Sequence, residues 1–280
     1  MRFGISTHLY HDQKLDRSHL AQVAGYGFDS IELFATRSHF DYHDPAAVSA
    51  LGEWLETAGL GLHSVHAPIT DRFSAGDKWV PTYSIAAGDG ARRQATLDEV
   101  GAALAITKQI PFKVLVVHVG TPDSRGAAND NNRAAAARSI EEICRIAEPL
   151  GVQVALEVIP NALSTPSALV TLLERDLEAT PGICLDFGHA FLGGDIPDAI
   201  ETVAEHLMAT HVHDNHRRSD EHLAPYLGTI EWDAALMSMQ KIGFEGTYLM
   251  ELANTGSPAE VLEAARRARQ QFERALTDGF

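Results

Sequence analysis

The sequence predicts an α/β fold, a closed (β/α)8 TIM barrel, on three observations. Eight short, apolar, β-branched runs recur along the chain. Stretches with apolar residues at helical spacing lie between them, the signature of repeated βα units around a parallel sheet. The length of 280 residues suits one barrel of roughly 250 residues with an extension. No Gly-rich dinucleotide or phosphate-loop fingerprint argues for an open sheet instead. The expectation is one domain over residues 1–280, ending in a helix at about 258–276.

The elements follow in order. Arg2–Ser6 is the first strand, and Leu20, Val23 and Ala24 mark the helix after it. Ser30–Leu33 is the second; Asp44-Pro45 then opens a helix carrying Val48, Leu51 and Leu55, which Gly59 closes. Leu62–His66 leads into a long connection over residues 67–90, rich in Gly, Ser, Pro, Thr and Asp. Val114–His118 is followed by a connection over 119–131 and by Ile140, Ile143, Ile146 and Ala147 at helical spacing, stopped by Pro149 and Gly151. Val152–Val158, Gly182–Asp186, Thr210–His213 and Thr247–Glu251 complete the eight. A third long connection, 214–230, follows the seventh strand, and Gly243 ends the helix that reaches Lys241-Ile242. Loops after barrel strands gather at the C-terminal face, where active sites are built, so the three long ones are read as a lid or substrate walls. Arg266, Arg267 and Arg269 crowd the last helix and are read as its solvated edge.

Charge and cysteine content bound the partners. Thirty-eight acidic against 22 basic residues give a net charge of −16. Such a field repels a phosphate backbone, which disfavours nucleic acid as a partner. The basic residues of the mouth loops, Arg72, Lys78, Arg217 and Arg218, are scattered rather than aligned. Cys144 and Cys184 form no CxxC and no disulfide framework, as expected in a reducing compartment. Neither a signal peptide nor an apolar stretch approaching 18 residues is present, so the expected location is the cytoplasm, away from membranes.

Fourteen histidines are the most informative feature of the composition. From the third strand onward the strand ends read His66, His118, Glu157, Asp186, His213 and Glu251, all of them metal-ligand types. Asp186 is followed by Gly188, expected to permit a tight turn, and by His189. On the seventh strand side-chain alternation puts His211 and His213 on one face. Asp220-Glu221-His222 follows in the loop. Three carboxylates converging with an imidazole need a cation to neutralise them, so Glu157, Asp186, His213 and Glu251 are read as ligands of a divalent metal. Oxygen and nitrogen donors without thiolates suit zinc, manganese or cobalt.

With these residues in view, the chain resembles the xylose-isomerase-like (AP endonuclease family 2) superfamily of barrels, which also contains endonuclease IV, over nearly its whole length. In the sugar epimerases of that superfamily one metal is held by Glu, Asp, His and Glu from strands five to eight. The resemblance maps these onto Glu157, Asp186, His213 and Glu251, with Glu157 and Glu251 exchanging the substrate proton and His189 binding substrate. The three-zinc arrangement of endonuclease IV is matched further by His66 and His118, the latter in a His-x-Gly setting with Gly120, and by His189, Asp220 and His222. The phrases His213-Asp214-Asn215, Asp220-Glu221-His222-Leu223 and Gly228-Thr229-Ile230-Glu231-Trp232 look most like sugar phosphate isomerase/epimerase relatives. Relatives of this kind are often dimers or tetramers, which leaves a homo-oligomer open.

The resemblance and the residues together imply a metal-dependent epimerase or isomerase of a sugar or sugar phosphate. In such an enzyme a metal polarises a carbonyl and two carboxylates move the adjacent proton through an enediolate. His66 and His189 are expected to touch substrate hydroxyls or assist proton movement, His8 and Glu32 to contact substrate or stand behind the site, and Arg217 to bind a substrate hydroxyl or phosphate. The alternatives are multinuclear phosphodiester hydrolysis of the endonuclease IV kind, or another metal-dependent hydrolase or lyase, and, outside enzymes, a metal-stabilised sugar-binding module.

Overall fold

The computed structural model describes residues 2–74, 78–124 and 129–278. The expected connections 67–90 and 119–131 lie partly outside the described residues, at 75–77 and 125–128, as do the two ends of the expected domain and the side chain of Lys78. In chain order the elements are β1 (Arg2–Ser6), α1 (Arg17–Gly25), β2 (Ser30–Phe34), α2 (Pro45–Ala58), β3 (Gly61–His66), β4 (Thr70–Ser74), β5 (Lys78–Thr82), α3 (Gly90–Leu104), β6 (Val114–His118) and α4 (Arg133–Ala147). They continue with β7 (Gln153–Glu157), α5 (Pro166–Arg175), β8 (Gly182–Asp186), α6 (Phe187–Gly193), α7 (Ile196–Val203), β9 (Leu207–Val212), α8 (Trp232–Lys241), β10 (Thr247–Met250) and α9 (Pro258–Asp278).

Eight parallel strands close a barrel in the order β1, β10, β9, β8, β7, β6, β3, β2. The predicted fold class is thus the observed one. The sequence punctuation acts as expected: the Asp44 side chain accepts the Ala46 N–H at the start of α2, Pro45 occupies its first turn, and Gly59 ends it at φ +68°. The 67–90 connection holds more order than expected, because β4 and β5 pair there as an antiparallel hairpin. No helix among the described residues is long and apolar enough to cross a membrane.

Alternation along each strand decides what the barrel contains. Outward residues such as Leu115, Val117, Leu156 and Leu185 pack with helix residues such as Leu51, Leu104, Ile140 and Ile200 in the main core. Inward residues Val114, Val116, Ala155, Cys184 and Ala209 form a small apolar floor. One inward step above that floor the side chains become His118, Glu157, Asp186 and His211. The polar layer is therefore the continuation of the same alternation, raised towards the C-terminal mouth.

Two irregularities set its register. Between β2 and β3, Ile31 pairs with Leu62 but Glu32 pairs with Ser64, so His63 is bulged out. Between β8 and β9, Ile183 pairs with Leu207 but Cys184 with Ala209, which leaves Met208 over and puts Asp186 level with His211. Met208 packs where a side chain at Gly182 would otherwise stand. Both cysteines are free. Arg266 and Arg267 are ion-paired to Glu263, while Arg269 donates to the Gly27 carbonyl and approaches Glu273.

Candidate metal centre

Three adjoining groups of ligand-type side chains fill the barrel mouth, the donor atoms of each lying within 4.8 Å of one another: His66, His118 and Glu157; Glu157, Asp186, His211 and Glu251; and His189, His213, Asp220 and His222. Glu157 belongs to two of them. Its Oε2 lies 3.2 Å from His66 Nε2 and 3.1 Å from His118 Nε2. Its Oε1 lies 3.2 Å from His211 Nδ1, which is also 3.3 Å from Glu251 and 4.0 Å from Asp186. Asp186 leads to the third group, where His213 Nε2 is 2.9 Å from Asp186 Oδ1 and both His189 and His222 approach Asp220 at 3.2 Å.

Local structure explains how each donor is aimed. β6 and β7 pair His118 with Glu157, so both reach the mouth at one level. Asp186 ends β8 and caps α6, accepting the His189 N–H at 2.7 Å, which places the His189 ring one turn into the helix above it. Asp220 and His222 arrive from the 214–230 loop. That loop is gathered on Asp214, whose carboxylate accepts the N–H groups of Asn215, Tyr226 and Ile230 and the Trp232 indole N–H.

The geometry places several of the expected residues differently. His213 was expected with Glu157, Asp186 and Glu251; the bulge at Met208 sets His211 there instead, and His213 joins the third group. The signal for His211 was its inward step from Ala209, on the same face as His213. Glu157, expected to exchange a substrate proton, is fully buried and does not border the cavity at the mouth, whereas Glu251 does. Glu32, expected either to touch substrate or to stand behind the site, is also fully buried and lies beneath His211. Arg217 is turned away, stacked over Phe191 with its guanidinium on the Gly194 carbonyl. His8, His66 and His189 border the cavity.

The donor set fits a cation. His66, His189 and His222 donate Nδ1–H to the carbonyls of Ala67, Val158 and Glu251 and so turn Nε2 into the site. A neutral ring held this way presents a lone pair to the facing carboxylate, an arrangement that requires a positive charge between them or on the ring. Glu157 Oε2 has the Nε2 atoms of His66 and His118 within 3.2 Å and accepts no well-formed hydrogen bond from either. A tetrahedral zinc with bonds of about 2.0–2.1 Å spaces its ligands by about 3.3 Å, close to the separations seen.

The electrostatics agree. Burial disfavours a charged His66, but Glu157, Glu251 and Glu32 outweigh it and raise the ring to about 8. Burial is likewise overcome at His189, raised to about 10 by Asp186 and Asp220, and at His222, raised to about 9 mainly by Asp220. Burial would push the Glu157 carboxyl up, yet His118 and His211 hold it well below the usual carboxylate range. The carboxylates thus draw positive charge onto His66, His189 and His222, whereas burial pushes His118 and His8 down.

Above the groups lies a cavity of about 370 Å³. One part of its wall is ligand-type, with His66, His118, His189 and Glu251; another is apolar, with Phe34 and Ile69.

Residues 20–273 match the family described as the xylose isomerase-like TIM barrel. The uncharacterized protein MJ1311 of Methanocaldococcus jannaschii is 27% identical over 266 residues, covering 91% of this chain and 84% of that one. A D-tagatose 3-epimerase-like protein superposes with a TM-score of 0.80 at 23% identity, covering 99% of both chains. The IolI protein, in a structure with a bound zinc atom, superposes with a TM-score of 0.76 at 17% identity over 98% of both chains. With a closed eight-stranded barrel and a family match across most of its length, the chain belongs to the xylose isomerase-like TIM barrel family.

Proposed function

We propose that the chain is a divalent-metal-dependent carbohydrate epimerase or isomerase that moves a proton next to a carbonyl. The observation that carries this reading is the placement of Glu251 at the cavity edge, beside a buried group of two further carboxylates and His211. The sugar 3-epimerases among the proteins of like fold support it, including a D-psicose 3-epimerase studied with D-fructose.

Glu157, Asp186, His211 and Glu251 would hold the cation, which is zinc, manganese or cobalt. Bound there, it supplies Lewis-acid polarisation of a substrate carbonyl. Glu251 is placed to take the proton from the adjacent carbon, since among the described residues it is the one of these four ligands that borders the cavity. The imidazoles of His66, His118 and His189 share the cavity wall and supply the group that returns it. Glu157 sits behind His66 and His118, where it braces both rings and the cation instead of touching substrate. Phe34 and Ile69 keep part of the cavity dry.

The test is to load the protein with each metal and incubate it with a panel of ketoses in deuterated water. Deuterium is expected at the carbon beside the carbonyl, and Glu251→Gln is expected to lower exchange by about 100-fold or more while metal remains bound. Glu157→Gln is expected to lose metal as well. Unchanged exchange in Glu251→Gln would remove that residue from proton transfer.

One observation favours a second reading, phosphodiester hydrolysis: the three ligand groups adjoin, with Glu157 shared. Clustered cations generate hydroxide and stabilise a leaving oxygen. The net charge of −16 directs that chemistry to a small phosphodiester rather than a nucleic acid. Turnover of bis(p-nitrophenyl) phosphate, with no deuterium incorporated from any ketose, would decide for it.

A further inference from the structure

The imidazoles of the site do not share one orientation. His66, His189 and His222 have Nδ1 on backbone carbonyls and Nε2 turned inward. His211 is reversed. Its Nδ1 faces Glu157, Glu251 and Asp186, while its Nε2 lies 3.1 Å from Glu32 Oε2.

The reason lies in where His211 stands. It stands one residue before the end of β9, paired with Asp186 of β8 and Leu249 of β10, and faces the barrel lumen. Both of its ring nitrogens meet side-chain carboxylates rather than a backbone carbonyl, so a side chain fixes its tautomer. Glu32 comes from β2, on the far side of β1 and β10 from β9. The bulge at His63 puts Ser64 opposite Glu32, and the Ser64 hydroxyl donates to the same Oε2 at 2.9 Å. Glu32 Oε1 has no hydrogen-bond partner among the described residues. A fully buried carboxylate held by a hydroxyl and an imidazole is costly to keep unless the charge is used.

We propose that Glu32 is a positioning residue for the metal centre: by accepting the Nε2 proton of His211 it fixes the tautomer in which the Nδ1 lone pair faces Glu157, Asp186 and Glu251. A carboxylate behind a ligating imidazole also makes the ring a stronger donor, and loss of such a partner typically costs 10- to 100-fold in metal affinity. The inference rests on the reading of those residues as metal ligands, but not on which reaction follows.

The experiment compares the wild type with Glu32→Gln and Glu32→Ala, using zinc titrated against a competing chelator and nitrogen-15 spectra of the histidine rings in zinc-loaded protein. The wild-type His211 is expected to carry its proton on Nε2. Glu32→Gln keeps an acceptor but loses the charge: the tautomer is retained and the tightest zinc site weakens by about 10-fold. Glu32→Ala loses both, so the site weakens by about 100-fold and the tautomer is no longer fixed. A merely structural role would move stability without this graded pair of readouts. A proton on Nδ1 of His211 in the zinc-loaded wild type overturns the proposal even if neither variant folds, as does equal zinc affinity in all three proteins. A wild type that binds no zinc, manganese or cobalt overturns the ligand reading, and this inference with it.

Discussion

His39 shows how one side chain, remote from the chemistry, carries a measurable charge effect. It is fully buried and donates Nδ1–H to the Gln13 carbonyl at 2.7 Å. Burial lowers it from 6.5 to about 4, against the opposing pull of the Gln13 carbonyl. Between those values the unfolded chain binds the proton more tightly than the folded one. The stability contribution is therefore fully present above about 6.5 and is lost as pH falls towards 4, by up to about 3 kcal/mol. His39→Asn preserves the donor but cannot titrate. Its stability in urea is expected to fall less between pH 7 and pH 4 than that of the wild type, by about that amount, and parallel curves would contradict the assignment. Gly188 makes a different point at the same scale. Its φ is not positive, so the tight turn expected there is not its reason. A side chain at 188 would overlap the His213 ring, and the glycine leaves that room.

The 214–230 loop is the element on which the third ligand group depends. Arg217, His222 and Tyr226 all take positive φ without being glycine, a concentration of uncommon backbone that persists only where surroundings impose it. Asp214 is the main restraint, since its two oxygens accept four N–H donors from the loop and from Trp232. Asp214→Asn turns an amide donor towards groups that are themselves donors. We expect it to cost about 3 kcal/mol and to release Asp220 and His222, with loss of metal from their group and retention of metal at Glu157, Asp186, His211 and Glu251. Elemental analysis of the variant checks this, and an unchanged metal content would show that the loop needs no such anchor. The strands and helices were legible from sequence because alternation and helical spacing leave a hydropathy trace. Where a strand stops leaves none: β9 ends at Val212, so the strand end expected at His213 lies one inward step beyond His211, the residue level with Asp186. The β4–β5 hairpin was hidden for a similar reason: its residues mix charged, aromatic and proline positions without a regular period.

At the scale of the whole molecule, the eight strands form a floor of small apolar residues with a layer of carboxylates and imidazoles above it. His66, His118, Glu157, Asp186 and Glu251 could be named from sequence, because each lies at the end of a recognisable run and alternation aims it inward. Glu32 could be named only as a substrate contact or a residue behind the site, and the placement of Arg217 could not be read, because both depend on which strand or helix lies across the lumen or behind the loop. Glu32 meets a residue 179 positions away. The closed barrel brings those distant tips together, and burying so many carboxylates in one layer makes sense if cations are shared among them. The most direct measurement is anomalous diffraction from crystals soaked in zinc or manganese. A peak enclosed by Glu157, Asp186, His211 and Glu251 is predicted, with further peaks at the groups of His66 and His222 as metal concentration rises. A mouth without any peak, with the same side chains in place, would contradict it.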